Sequence, residues 1–215
     1  MSRDHELQQA VLEELSWEPS VTAAHIGVAA NAGVVTLTGH VESFANKHAA
    51  ETAALRVKGV KAVAEEIEVH LPFDRKRGDD QIAAAAIDRL AWDVSIPKDA
   101  VKVKVENGWV NLTGQVEWHY QHEAAQQDVR RLLGVVGVSN QITIKPRVDV
   151  SDIGNDIKSA LHRSWFDPEA VRVSAEAGRV RLTGTVHSPH ERYVAAAAAW
   201  AAPGVTTVEN DIAIM

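Results

Sequence analysis

Apolar positions along the chain change period in a fixed order, and that order recurs three times. Leu7, Val11, Leu12 and Leu15 follow helical spacing, as do Ile82, Ala86, Ile87 and Leu90, and then Ile153, Ile157 and Leu161. Each set predicts an amphipathic first helix. Strict alternation follows at Ile26/Val28/Ala30, Val101/Val103/Val105 and Val171/Val173/Ala175, the signature of a half-buried strand. Turn residues come next, at Asn31-Ala32-Gly33, Asn107-Gly108 and Ala177-Gly178, where a tight hairpin calls for positive φ.

The return strand of each hairpin carries one motif. Val35 to Val41, Val110 to Val116 and Val180 to Val186 all read V-x-L-T-G-x-V. Their glycines Gly39, Gly114 and Gly184 stand 75 and 70 residues apart, and the same offsets carry Gly59 onto Gly134 and Gly204, and Ile67 onto Ile142 and Ile212. Shared offsets at several landmarks identify an internal repeat. A second helix is expected at about 46–57, 121–133 and 190–201, each ending at or just before a glycine. A last alternating strand follows at 63–69, 138–144 and 208–214.

The predicted fold class is therefore α+β: three tandem α-β-β-α-β domains at 1–71, 79–145 and 151–215, each a three-stranded mixed sheet with two helices on one face. Linkers are expected at 72–78 and 146–151, each opened by a proline that ends its strand. Gly39, Gly114 and Gly184 share parity with core positions, so they read as structural glycines that allow close backbone approach towards the helices, or a bulge.

Composition narrows the function classes. The 215 residues are 46% apolar and 24% charged, ordinary for a globular chain, and there is no cysteine. That removes disulfides, thiolate nucleophiles and cysteine-type metal sites. A formal charge of −7 argues against general nucleic-acid binding, which needs a basic footprint. No leader-like apolar run follows the first residues and no stretch is long enough to span a bilayer, so the expected location is cytoplasmic. No nucleophile elbow, H-E-x-x-H or P-loop appears, so no catalytic residue and no cofactor are assigned.

Ten histidines include two close pairs, His119/His122 and His187/His190. The offset of 70 places His187 on Glu117 and His190 on Tyr120, so the pairs do not superimpose, and the sequence points to no third ligand. They read as exposed histidines at a strand-to-helix corner, with no metal assigned. Residues that one copy has and the others lack are more informative, because the fold does not require them. Trp109 matches Val34 and Arg179; Trp118 matches Ser43 and Ser188; Tyr120 matches Ala45 and His190. These aromatics suit a lipid or protein contact surface, or a contact between copies. Lys47, His122 and Arg192 share one repeat position at the start of the second helix, a recurrent basic spot that suits an anionic lipid surface. Trp17 and Trp92, which close the first helices at matching positions, read as core, with Trp165 displaced by three from that position.

The endings Gly204-Val205-Thr206-Thr207-Val208-Glu209-Asn210-Asp211-Ile212 and Gly134 to Ile142 fit G-V-x-x-V-x-N-x-[IL]; Gly59 to Ile67 departs from it with Glu65 in place of asparagine. With the glycine-centred strand and the second helix, these segments resemble the BON domain family (bacterial OsmY and nodulation) over nearly the whole chain. The resemblance implies a non-catalytic binding protein, often osmotically induced or transport-associated, that meets phospholipid surfaces or partner proteins. The candidate partners are an anionic phospholipid surface or another protein, a second copy of the chain included. Small-ligand or cation sensing is a further alternative.

Overall fold

The computed structural model describes residues 3–145, 153–163 and 170–214. The second linker and Trp165 lie outside the described residues. Three α-β-β-α-β copies follow one another. The first comprises α1 (Arg3–Trp17), β1 (Ile26–Asn31), β2 (Val34–Val41), α2 (Phe44–Arg56) and β3 (Ala62–Val69). The second comprises α3 (Asp79–Trp92), β4 (Val101–Glu106), β5 (Trp109–Val116), α4 (His119–Val129) and β6 (Gly137–Ile144). The third comprises α5 (Ile153–Leu161), β7 (Val171–Glu176), β8 (Arg179–Val186), α6 (Pro189–Trp200) and β9 (Thr207–Ile214).

Each copy forms its own sheet, in the orders β1-β2-β3, β4-β5-β6 and β7-β8-β9. The first pair is an antiparallel hairpin in the outer copies and the second is parallel, joined through the intervening helix. Both central residues of each hairpin turn, Ala32-Gly33, Asn107-Gly108 and Ala177-Gly178, have positive φ, which matches the twist of the flanking strands. By its contacts the chain divides into two compact units. One holds Met1–Arg89, Val103–Asn111 and Gln127–Ser139; the other holds Leu90–Lys102, Leu112–Gln126 and Asn140–Met215.

The core follows strand parity. In the first copy Val11 and Leu15 of α1 and Ala50, Ala53 and Ala54 of α2 cluster with Ile26, Val28, Val35, Leu37 and Ile67. In the third copy Ile153, Ile157, Leu161, Ala195 and Ala199 cluster with Val171, Val180, Leu182 and Ile212. The middle copy buries the matching residues Ile82, Ala86, Leu90, Val110, Leu112, Ala125, Val129 and Ile142. Two helices therefore cover one sheet face, as the alternating pattern predicts.

Two expectations change. Trp17 and Trp92 are not core: each is 84% exposed. Each stands two residues beyond the last buried leucine of its helix, Leu15 or Leu90, and about 200° further round at 100° per residue. The motif glycines do permit a close approach, but to the backbone of the residue just before each copy's first strand rather than to the helices. A Cβ on Gly39 would lie 2.1 Å from the carbonyl oxygen of His25, and on Gly114 and Gly184 it would lie 2.0 Å from those of Ala100 and Ala170. No described helix is long and apolar enough to cross a membrane.

Candidate functional site

The second helix of each copy begins at a corner that must satisfy its first amide groups. In the outer copies a serine does so. Ser43 accepts from the Asn46 amide and Ser188 from the Glu191 amide, each at 3.2 Å. Glu191 completes a reciprocal box by accepting from the His187 amide at 2.8 Å. In the middle copy Trp118 occupies the serine position and its ring cannot accept such a bond. Gln121, which matches Glu191 in the repeat, makes the other half of the box: its Oε1 accepts from the amides of Glu117 and Trp118 at 3.0 and 3.1 Å, just ahead of the helix. Position 118 is thereby free to hold a half-buried tryptophan, and α4 starts two residues earlier than the apolar spacing suggests, as the serine-capped α2 does.

The first turn of α4 gathers the copy-specific residues. His119 and His122 stack with ring centroids 5.5 Å apart, and His119 stacks on Trp200 of α6 at 3.9 Å, the ring planes nearly parallel at 12°. Glu123 Oε1 lies 3.3 Å from His122 Nδ1 and 3.8 Å from His119 Nε2. Contrary to the expectation that these corner histidines are exposed, both rings are largely enclosed, at 20–21% exposure, His119 by its stack on Trp200. Burial holds His119 below the usual histidine range, with Glu123 pulling against it and His122 adding to it. Asn140 of β6 fixes the same turn by donating to the His122 carbonyl at 2.9 Å and to Gln126 Oε1 at 3.3 Å. Tyr120, on the other side of the turn, is exposed.

The recurrent basic position has a different character. Lys47 donates to the Ile67 carbonyl at 2.7 Å and pairs with Glu65 at 3.0 Å. Arg192 donates to the Asn210 carbonyl at 3.0 Å, and Asn210 returns a bond to the Arg192 carbonyl at 3.3 Å. Position 47/122/192 thus ties the second helix to the last strand in all three copies. The departure at Glu65 is explained by Lys47: an ion pair stands where Asn140 and Asn210 make amide bonds. Trp109 opens β5 and lies against Gly137, whose absent Cβ would fall 2.3 Å from the indole. Roughly half of its surface remains exposed.

A groove of about 570 Å³ runs past His70, Lys76, Arg77 and Asp79. Its carboxylate is committed: Asp79 accepts from the amides of Asn107 and Gly108 at 2.8 Å, as Asp4 does from Ala32 at 2.9 Å. That contact is an element of the repeat, joining the first helix to the hairpin turn.

A profile of the BON domain matches residues 3–70, 78–146 and 149–215. The chain belongs to the BON domain family. A relative, the osmotically-inducible protein Y of Escherichia coli strain K12, is 30% identical over 133 residues. That stretch is 59% of this BON protein and 65% of the relative, so the match spans less than two thirds of the relative's length. Two solved structures of CdsD, described as a structural protein of the Type III secretion system of Chlamydia trachomatis, are 16% identical and cover 98% of this chain. They cover 92% and 98% of their own chains, at TM-scores of 0.28 and 0.27.

One cluster in this BON protein escaped the sequence reading. His25, His40 and His70 stack in a column across the first sheet, at 4.7 and 5.0 Å, and His70 meets Glu68 at 2.9 Å. The signal was present. At the repeat offsets these positions carry Ala100, Gln115 and Lys145 in the middle copy and Ala170, Thr185 and Met215 in the third, and all three have the parity opposite the core.

Proposed function

We propose that this BON protein is a non-catalytic binding protein that associates weakly with anionic phospholipid surfaces in a role related to osmotic stress. The observation that carries this reading is the segment from Phe73 to Arg77. The Phe73 side chain is 93% exposed, and Lys76 and Arg77 stand exposed beside it. Arg77 Nη1 donates to the carbonyls of Asp74 and Lys76, and Arg75 pairs with Glu42 at 3.4 Å. An apolar ring flanked by cations suits the boundary between headgroups and acyl chains. Each cation at an anionic surface adds about 1 kcal/mol, so two or three give weak, salt-sensitive attachment.

Exposed Tyr120 remains a lipid-contact candidate, with Trp118 and Trp109 near it in sequence, and exposed Trp17 and Trp92 join it. Lys47, His122 and Arg192 contribute less to such a contact, since each is engaged within its own fold. The osmotic setting draws on the osmotically inducible relative.

Vesicle co-sedimentation of the full chain tests the reading. Binding to anionic vesicles should exceed binding to neutral ones and fade as salt rises. Phe73→Ser with Lys76→Gln should weaken it several-fold, while Trp118→Ala with Tyr120→Ala tests the corner. Equal sedimentation with both lipids at low salt would overturn it. A second reading, protein interaction or self-assembly, rests on the outer strands β1, β3, β7 and β9, each with one neighbour in its sheet. A single-chain mass by light scattering across the micromolar range would sink self-assembly.

A further inference from the structure

We propose that His119, His122 and Glu123 form a binding site for a divalent transition-metal ion with the ligand preferences of zinc. The sequence offers the two histidines without pointing to a third ligand; the first turn of α4 supplies one. Residues at i, i+3 and i+4 lie on one face of a helix, so the backbone aims all three side chains the same way. Their ligand atoms lie within 4.8 Å of one another.

The distances suit a tetrahedral ion. With ligands about 2.0–2.2 Å from the metal, neighbouring ligand atoms stand roughly 3.3–3.6 Å apart. The His122 to Glu123 edge already measures 3.3 Å, and the His119 to Glu123 edge, at 3.8 Å, needs to close by only a few tenths of an ångström. The remaining edge, between the two histidines, lies within 4.8 Å and closes when the His122 ring turns towards that of His119.

The surroundings favour binding over a chance cluster. The His119 ring is held on one side by Trp200, and the turn that carries His122 is held by Asn140, so little freedom is lost when a metal arrives. None of the three ligands is needed by the fold, because the matching positions hold Phe44, Lys47 and His48 in one copy and Pro189, Arg192 and Tyr193 in another.

Ligand chemistry selects the class of ion. Two imidazoles and one carboxylate suit zinc and its neighbours in the first transition row, whereas magnesium and calcium prefer oxygen ligands. The fourth position is left to water. An ion there would fix the ring of His119, and with it the stack on Trp200 that joins α4 to α6.

The test uses the full, untagged chain and zinc chloride, with the histidine ring resonances followed by NMR and stoichiometry by calorimetry. One zinc per chain is expected, with the rings of His119 and His122 moving and those of His25, His40 and His70 staying. Cobalt should take the same site and show the visible absorption of a tetrahedral centre. Glu123→Gln should weaken zinc binding at least about tenfold and His119→Gln with His122→Gln should abolish it, while His187→Gln with His190→Gln leaves it unchanged. The wild-type ring shifts decide the matter even if a corner variant fails to fold. No binding at micromolar excess, shifts centred on other histidines, or equal displacement of zinc by magnesium would overturn the proposal.

Discussion

Replacing Gly39 by alanine adds one carbon at a place where the hairpin has no room for it. The new Cβ would stand 2.1 Å from the His25 carbonyl oxygen, whereas a tolerable contact begins near 3.0 Å, so the backbone must part by about 0.9 Å. Gly39 also sits at φ +111°, outside the region an alanine adopts comfortably. Backbone strain of this kind costs about 1–3 kcal/mol, and forcing packed strands apart costs a further 1–3 kcal/mol, roughly. The expected loss is therefore about 4 kcal/mol. A domain the size of one copy has about 3–10 kcal/mol to lose, at 0.05–0.15 kcal/mol per residue. Gly39→Ala should thus remove a large share of the first copy's stability, and all of it if that stability lies at the low end of this range. Its neighbour supplies the control: Gly27 faces Thr38 across the same hairpin, and its added Cβ meets only the Thr38 hydroxyl, at 2.7 Å, which can rotate away. Gly27→Ala should cost less than about 1 kcal/mol. Urea titration followed by residue-resolved NMR reads the first copy separately from the third. A Gly39→Ala protein within about 1 kcal/mol of wild type, or equal damage from Gly27→Ala, would refute the steric reasoning.

The exposed placement of Trp17 and Trp92 implies that Trp17→Ser and Trp92→Ser change stability by no more than about 0.5 kcal/mol; losses of about 3–5 kcal/mol in a denaturant titration would restore them to the core. Lys47 and Glu65, each about a quarter exposed, should couple by about 1 kcal/mol in a double-mutant cycle, and a coupling near zero would leave the altered repeat position at 65 unexplained. His119 predicts a pH effect on stability. Because burial lowers its folded value, the unfolded ring gains its proton first as pH falls, so the stabilisation is complete above the unfolded value of about 6.5 and is lost as pH drops through the folded one. With a chelator present, His119→Gln should flatten the decline in melting temperature between about pH 7 and about pH 5, and an unchanged slope would contradict this assignment.

Most of the fold is legible because burial on one face leaves a two-residue period in a strand and a near-four-residue period in a helix. Val35, Leu37 and Val41 show the first, and Ile153, Ile157 and Leu161 the second. Repetition then acts as an internal control, since a position filled alike in all three copies answers to the fold. The reasoning failed where identity was taken for environment. Trp17 and Trp92 are large, apolar and repeated, yet two steps past Leu15 and Leu90 the helix has turned them away from the stripe. Helix starts were also shifted by two residues at α2 and α4, because the first turn of a helix opens at its cap rather than at its first apolar position.

The candidate site is less legible because its parts obey different rules. His119, His122 and Glu123 satisfy a local spacing, and a reader who continued one residue past the second histidine would have found the third ligand. Trp200 obeys no such rule: it belongs to another copy, 81 residues further along, and only folding sets its ring against His119. The column of His25, His40 and His70 lies between these cases: His25 just before β1, His40 in β2 and His70 just after β3 are brought side by side by parity and register that the sequence does contain. In a threefold repeat, function is best sought among side chains that break the repeat, and then among those that meet one another. His119 and Trp200 do both: their matching positions are Phe44 and Pro189 for the one, Leu55 and Arg130 for the other. By that criterion Lys47 and Arg192 point to structure, because their shared position does the same structural task in each copy, whereas the corner of α4 gathers side chains that the other copies do without.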